Sequence, residues 1–389
     1  MSKIIFFHQG ADEYGSDKIL ALVASNLAKN NQVKVILDSS GPLIGKLNEL
    51  GVEDVCVSQL AVVRRVNVNS LKSLFAFLFY LWKSVILVRS LISSYAPDIV
   101  YVNTLAVISP LIASIGKKVT VVHHLHEIQQ SPKFICSLLY SFSGALSDIV
   151  VCVSDSVRNN FIDMSFFGKS KAIVVNNGLP DSDVCEMDRR LTLSSIEDAF
   201  VNNDGFLIAY VARLHFWKGQ LEFLDVVKIL KDRYGLKFKV AFYGDVFPGY
   251  ESIWEELKQK ADCLNISSCI NFFGFRRDAA ALFSVSDVSI MGSVQPDPLP
   301  TIVLESMQQG TPVIGYGHGG ICEMIENNYS GIIVPPCDKE MMADAIYQVC
   351  ANASFRNKLG DNAKSRFQEK FSVDSFICKL SEAIGVGVS

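Results

Sequence analysis

No Cys-x-x-Cys pair occurs among the 10 cysteines of this 389-residue sequence, which removes zinc-ribbon and thioredoxin-like readings. Several cysteines sit in apolar runs, such as Cys152 in DIVVCVS. There a free thiol behaves as a small hydrophobe, and the chain reads as one kept in a reducing cytoplasm. Positive charge is not in excess either. The formal net charge is -4 and no Lys/Arg-rich block stands out, so no basic field exists to hold nucleic acid. The opening MSKIIFFHQGADE has an apolar run too short for a secretory leader and lacks a small-residue cleavage site; it reads as a first β-strand. A spanning helix needs about 20 apolar residues, and the longest candidate, Leu71 to Ile92, is interrupted by Lys72, Lys83 and Arg89. The favoured reading of that stretch is a buried helix whose charged tips snorkel outward. The second is a helix in a membrane interface, with Arg64, Arg65 and Lys72 at anionic headgroups and Phe75, Phe79 and Trp82 below them.

What is present is ample core material, 49% hydrophobic and 20% charged, in a chain of two-domain length. Apolar runs at 3–8, 32–38, 98–103, 119–124, 148–154 and 172–177 alternate with helical stretches near 15–29, 70–94, 131–146 and 154–163. The runs are continuous rather than alternating, as in strands covered by helices on both faces. A βαβα order predicts an α/β, doubly wound parallel sheet. The pattern lapses over the polar 180–204 and restarts at 206–212, 238–244, 270–274, 288–292, 311–316 and 331–335. The expectation is two tandem Rossmann-like domains facing across a cleft: 1–185, a linker over 186–204, and 205–370. A closing helix over 371–389 is expected to pack back on the first domain. Ligands of such sheets bind at the carboxyl ends of the strands.

One stretch, PDPLPTIVLE at 296–305, places Asp297 and Glu305 eight positions apart. It follows the strand-like VSIMGS. Pro300 suits the first turn of a helix over about 300–309, and Gly310 suits its C-terminal cap. The amides around Thr301 and Ile302 are then orphan donors at the positive end of the helix, an anion site. Carboxylates repel phosphate but accept from paired hydroxyls, so an acid on each side of a phosphate suits a sugar on one side and a ribose on the other. Alone, the pattern equally fits an N-terminal Asp on the helix dipole and a solvated Glu. A second constellation, YVARLHFWKGQ at 210–220, ends a strand in Arg213 and opens a helix near Lys218-Gly219. Two cations in that loop can neutralise a diphosphate without a metal.

At this point the sequence resembles the retaining GT-B glycosyltransferases of family 4. The family's Glu-x7-Glu appears as Asp297 to Glu305, its Gly-Arg-Leu…Lys-Gly loop as VARLHFWKG, its Phe-x-Gly loop as NFFGF (271–275) and its GG-x-x-E turn as GGICE (319–323). In the first half, GADEYGSDK (10–18), HLHE (124–127) and VVNNGL (174–179) resemble the glycine loop, the donor-facing His loop and the segment before the linker. The resemblance implies a GT-B fold, an acceptor-binding first domain and a donor-binding second domain. The donor is a nucleoside diphosphate-sugar, the acceptor a glycan or lipid-linked glycan, and no cofactor or metal is expected. It implies Arg213 and Lys218 on the diphosphate with the amides at Thr301 and Ile302 and the loop of Gly15 and Ser16. Glu305 would bind ribose, Asp297 the transferred sugar, and the Gly274-Phe275 backbone the base. Leu299 would line the donor site, and His126 would lie near the sugar; in isolation His126 also reads as a core histidine at a strand end. The implied place is the cytoplasm or the cytoplasmic face of a membrane, in bacterial surface polysaccharide or lipid-linked glycan assembly.

Two positions depart from the family. Asp297 replaces the first Glu, keeping the charge with a shorter reach, and Pro300 replaces a Gly, removing one amide. Two decoys are set aside. GYGHGG (315–320) fits a dinucleotide fingerprint, but the acid about 20 positions on, Asp338, falls beyond the next strand. Asp181-Ser182-Asp183 reads as loop rather than a metal motif. A sugar-nucleotide 2-epimerase of the same fold and a non-catalytic sugar-nucleotide-binding partner stand as the alternatives.

Overall fold

A computed structural model describes residues 1–12, 15–64, 70–200, 204–246 and 249–387. Glu13 and Tyr14 of the glycine loop, Arg65 of the basic pair and 201–203 of the expected linker lie outside them. In chain order the strands are β1 (Lys3–His8), β2 (Gln32–Leu37), β3 (Val55–Val57), β4 (Ile99–Val102), β5 (Thr120–Leu125), β6 (Ile149–Cys152) and β7 (Ala172–Val174). There follow β8 (Phe206–Val211), β9 (Phe238–Tyr243), β10 (Ile270–Phe272), β11 (Val288–Met291), β12 (Val313–Tyr316) and β13 (Gly331–Val334).

Among the described residues the strands form two all-parallel sheets, in the orders β3-β2-β1-β4-β5-β6-β7 and β10-β9-β8-β11-β12-β13. The continuous apolar runs explain this. All four residues of β4, β11 and β12 are buried, which requires cover on both faces. In each sheet the strand order reverses beside the first strand, between β1 and β4 and between β8 and β11. Those reversals are the topological switch points where crevices open at the carboxyl ends.

Two compact units result. The first is Met1–Asn177 with the chain from Phe376 onward, and the second is Gly178–Ser375. The core of the first gathers Ile5, Phe7, Val88, Ile92, Val100 and Leu111, and that of the second Ile208, Phe223, Leu224, Val240, Ile290 and Ile346. The polar stretch read as a linker is mostly the helix Glu186–Ala199. It buries Thr192 and Ile196, and Ile196 and Phe200 pack with Leu207, Leu282 and Phe283 of the second unit. A helix that buries one narrow edge keeps a polar composition, which is why it read as a linker.

The helix Leu71–Tyr95 corrects a second expectation. It is not buried. Its Val88 and Ile92 enter the core, Ser84 Oγ accepts from the Ala61 N–H at 3.0 Å, and Arg89 Nη1 donates to the Ala113 and Ile115 carbonyls at 2.9 Å each. On another face Phe75 (70%), Phe79, Trp82 (58%) and Ile86 are exposed. At 25 residues the helix is roughly 37 Å long. The strands it packs near hold only four to six residues, so the sheet covers only part of it. Lys72–Tyr95 is the one helix among the described residues long and apolar enough to cross a membrane.

Candidate active site

In the second unit the switch point is bridged by an ion pair. The loop leaving β8 is pinned before it reaches Lys218: Leu214 is buried, and its N–H donates to the Asp245 carbonyl at 2.9 Å. Tyr210 Oη donates to the Lys218 carbonyl at 2.5 Å, and the Val294 N–H donates to the Trp217 carbonyl at 2.8 Å. Gly219 then turns the chain with φ +78°, where a Cβ would stand 1.9 Å from the Gly292 carbonyl oxygen. Only glycine allows that approach.

With its backbone clamped, Lys218 reaches across the reversal to the chain leaving β11. Its Nζ lies 2.9 Å from both Asp297 carboxylate oxygens and 4.5 Å from the Trp217 ring centre. Ser293 Oγ donates to Asp297 Oδ2 at 2.7 Å, and His318 Nε2 donates to the Ser293 carbonyl at 2.8 Å. The side chains of Lys218 and Asp297 are 20% and 9% exposed, so the pair is mostly shielded. The two residues that the resemblance sends to adjacent parts of a donor, diphosphate and sugar, touch each other here. The paired glycines of GGICE have a local cause too: the Gly320 N–H donates to the Asp297 carbonyl at 2.8 Å. A Cβ on Gly319 or Gly320 would meet the Asp297 or Pro298 carbonyl oxygen at 2.4 or 2.1 Å.

The helix Thr301–Gln308 starts four residues after Asp297. Pro300 is its N-cap rather than its first residue, and no side chain caps it. The Val303 N–H donates to the Pro300 carbonyl at 3.0 Å, and the amides of Thr301 and Ile302 stand at the positive end of the helix. Val303, Leu304, Ser306 and Met307 are buried, while Thr301, Ile302 and Glu305 are half-buried. One face of the helix thus carries its first amides and, one turn on, the Glu305 carboxylate. Leu299, expected to line the donor site, is buried. Arg213 is half-buried and its carbonyl accepts from Gln220 Nε2 at 2.8 Å.

In the loop expected on the base side, some backbone groups are engaged within the protein. The Phe275 N–H donates to Asp245 Oδ1 at 2.8 Å, and the Gly274 carbonyl accepts from the Gly244 N–H at 2.8 Å. Two of the polar groups offered to a base are used inside the protein, and the Phe275 ring is 60% exposed. Asp245 shapes this loop. It ends β9's run as a lone carboxylate, and sequence reading passed over it.

In the first unit, His8 ends β1, Asn103 follows β4 and His126 follows β5. His8 Nε2 lies 2.6 Å from Asp17 Oδ1, His8 Nδ1 lies 3.3 Å from Asn103 Nδ2, and Asn103 Oδ1 lies 3.1 Å from His126 Nε2. Asn103 Nδ2 also donates to the Ser16 carbonyl at 3.3 Å. The helix Gly15–Ala28 opens at Gly15, where a Cβ would meet nothing within 4 Å. Packing therefore does not require glycine there. Glu127 accepts from Thr104 Oγ1 at 2.6 Å and from the His126 and Leu105 amides. Burial raises its pKa, and those three donors oppose the rise. Burial, then His124, His8 and His123, hold His126 well below the ordinary histidine value. His123 and His124 are fully buried and lowered by burial to about 4 and about 3. Asn103, His8 and Asp17 were not singled out from sequence. The usable signal was a polar residue closing a buried strand at its carboxyl end.

Two family models match: Glycosyltransferase Family 4 over residues 15–183 and Glycosyl transferases group 1 over residues 194–366. An uncharacterised glycosyltransferase of Methanocaldococcus jannaschii is 26% identical over 232 residues, 58% of this chain and 57% of that protein. The match thus spans little more than half of that relative. A Campylobacter jejuni α-1,4-N-acetylgalactosaminyltransferase, named for an undecaprenyl-diphosphate-linked GalNAc acceptor, is 24% identical over 378 residues, 95% of this chain and 94% of its own. Among solved structures, Anabaena HepE in complex with UDP-glucose superposes with a TM-score of 0.83 at 21% identity, covering 99% of this chain and 100% of its own. That likeness is one of fold.

Proposed function

The chain belongs to the GT-B glycosyltransferases of the group 1 and family 4 type, and from that premise we propose retaining, metal-independent transfer of a hexose-type sugar from a nucleoside diphosphate to an acceptor hydroxyl. The observation that carries this reading is the Lys218–Asp297 pair at the switch point, four residues before a helix that no side chain caps. Lys218, Arg213 and the Thr301 and Ile302 amides supply fixed positive potential for a departing diphosphate. Asp297 orients Lys218 and keeps acceptor capacity for a sugar hydroxyl, while Glu305 takes ribose hydroxyls. For the first unit, the reading keeps Gly15 and Ser16 as phosphate contacts and His126 as a sugar contact. The anomeric C–O bond to phosphate breaks, the acceptor oxygen bonds the same face, and its proton passes to the leaving phosphate oxygen.

The relatives support an acceptor on a lipid-linked or surface glycan, and the helix Leu71–Tyr95 supports work at a membrane. Phe75, Phe79, Trp82 and Ile86 recur at intervals of four, three and four, which makes one exposed stripe. Lys72 and Lys83 are exposed beside it, and Lys83 Nζ lies 4.6 Å from the Phe79 ring centre. An apolar stripe flanked by lysines suits the interface of an anionic bilayer on its cytoplasmic side.

The deciding experiment is ligand-observed NMR of the full chain against UDP-, GDP-, dTDP- and CMP-sugars and NAD, with EDTA present. Binding of one nucleoside diphosphate-sugar is expected and names the donor class. Binding of NAD alone, or a strict metal requirement, overturns the reading. Product analysis with the bound donor separates transfer from 2-epimerisation.

A further inference from the structure

The chain Asp17–His8–Asn103–His126 has only one consistent set of protons. The Ser16 carbonyl can only accept, so the Asn103 atom 3.3 Å from it is the amide nitrogen. The same nitrogen faces His8 Nδ1 at 3.3 Å. That ring atom must therefore accept, and the His8 proton sits on Nε2, donating to Asp17 at 2.6 Å. Asn103 Oδ1 is then left facing His126 Nε2 at 3.1 Å. A carbonyl oxygen accepts, so His126 carries its proton on Nε2. Turning the Asn103 amide over would set its oxygen against the Ser16 carbonyl, two acceptors with no proton between them.

We infer that Asp17, His8 and Asn103 are positioning residues that hold His126 as its Nε2–H tautomer and leave Nδ1 as a hydrogen-bond acceptor for a hydroxyl group. Nδ1 has no partner among the described residues. Under the transferase reading, on which this step rests, the hydroxyl is one on the transferred hexose. A neutral acceptor repels phosphate oxygens and attracts O–H donors; an imidazolium does the reverse. The chain of four thus makes His126 an acceptor suited to a sugar hydroxyl rather than to a phosphate oxygen. It spans the β1/β4 reversal, the counterpart of the place where Lys218 meets Asp297 in the second sheet.

The titratable groups around His126 are His8 on β1, His123 and His124 on β5, Asp17 behind His8, and Glu127, whose carboxylate accepts the His126 backbone N–H at 3.1 Å. The three histidines all oppose a proton on His126. The ring of His124 lies 4.1 Å from that of His126, centre to centre.

The chain has 6 histidines, few enough for two-bond 1H–15N correlation spectra of the labelled full chain without ligand. His8 and His126 are both expected to show protonated Nε2 and bare Nδ1, with His126 still neutral at about pH 6. In Asn103→Asp a carboxylate replaces the amide and favours imidazolium, so the His126 midpoint should rise by about one unit or more. A Nδ1–H form or a mixture of tautomers at His126 in the wild type overturns the proposal. So does a folded Asn103→Asp whose His126 titrates as the wild type does. If that variant fails to fold, the wild-type tautomer still decides. The spectra need no donor, so the proton pattern stands or falls apart from the transferase reading, which the sugar-nucleotide panel tests.

Discussion

The two switch points share a topology and differ in chemistry. In the second unit a lysine crosses the strand reversal to a carboxylate, next to an uncapped helix start. In the first, the corresponding crossing is made by His8 and Asn103, an imidazole and an amide. The same backbone geometry therefore offers fixed charge on one sheet and directed neutral hydrogen bonds on the other. A sugar nucleotide has both needs: a diphosphate that requires positive potential, and hydroxyls that require donors and acceptors of set direction. Fold alone fixes neither, because the residues at the strand ends carry the difference.

The comparison breaks most sharply at Lys218. Under the proposed function, Lys218→Gln should lower kcat/KM by about a hundredfold or more, since it would remove the potential aimed at the leaving group. It should also cost about 2–3 kcal/mol in urea unfolding, because Asp297 is left nearly buried without its cation. The same pairing means that Asp297→Ala is not a clean probe of sugar contact, as it frees Lys218; Asp297→Asn, which retains an acceptor for Ser293 Oγ, separates the two roles. If Lys218→Gln turns over like the wild type, the charged half of the comparison is wrong.

Glycine sharpens the contrast. At Gly219 a Cβ would stand 1.9 Å from a carbonyl oxygen and φ is +78°. Gly219→Ala should therefore destabilise by about 2 kcal/mol or more through strain and backbone displacement. At Gly15 nothing lies within 4 Å of an added Cβ. Gly15→Ala should keep stability within about 0.5 kcal/mol and weaken donor binding only. Paired thermal melts and donor titrations read both. A large loss of stability in Gly15→Ala would mean that this glycine serves the fold rather than the ligand.

Acid should separate the units as well. His123 and His124 are fully buried, and both are held below the ordinary value of 6.5. As pH falls the unfolded chain takes these protons first. Their contribution is complete above about pH 6.5 and is lost downward toward the folded values, with a limiting slope of about 1.4 kcal/mol per pH unit for each group. From about pH 7 to about pH 5.5 the two together should cost the first unit about 2–3 kcal/mol. Urea unfolding followed by hydrogen exchange in β5 checks this. The loss should shrink in His123→Phe, and equal losses in β8 peptides would remove the distinction between the units.

Most strands were legible in the sequence because both of their faces are buried, which writes them as unbroken apolar runs. β3 was not: three residues at a sheet edge, largely exposed, carry no such signature. The helix Glu186–Ala199 was lost because it buries too narrow an edge to look amphipathic. At the site, Lys218 and Asp297 were legible through motif order. Their contact was not, since 79 positions separate them. Asn103 and His8 lie 95 positions apart, and neither belongs to a motif that names the other. What the sequence withholds is which strand ends become neighbours, and that depends on a sheet order that only the folded chain displays.

The smallest expected effect concerns the exposed aromatic stripe of the first unit. If the Phe75–Ile86 stripe sits in a bilayer interface, each aromatic that leaves water contributes a fraction of the roughly 1.5–3 kcal/mol of full burial. Phe79→Ser with Trp82→Ser should then weaken sedimentation with anionic vesicles by about tenfold, and salt should weaken the wild type by screening Lys72 and Lys83. Because both side chains are exposed, the double variant should melt as the wild type does and turn over a soluble acceptor at the same rate. A fall in stability would return the stripe to the core, as the favoured sequence reading had it. Unchanged vesicle binding would leave a helix longer than the sheet it rests on, with its aromatics simply in water.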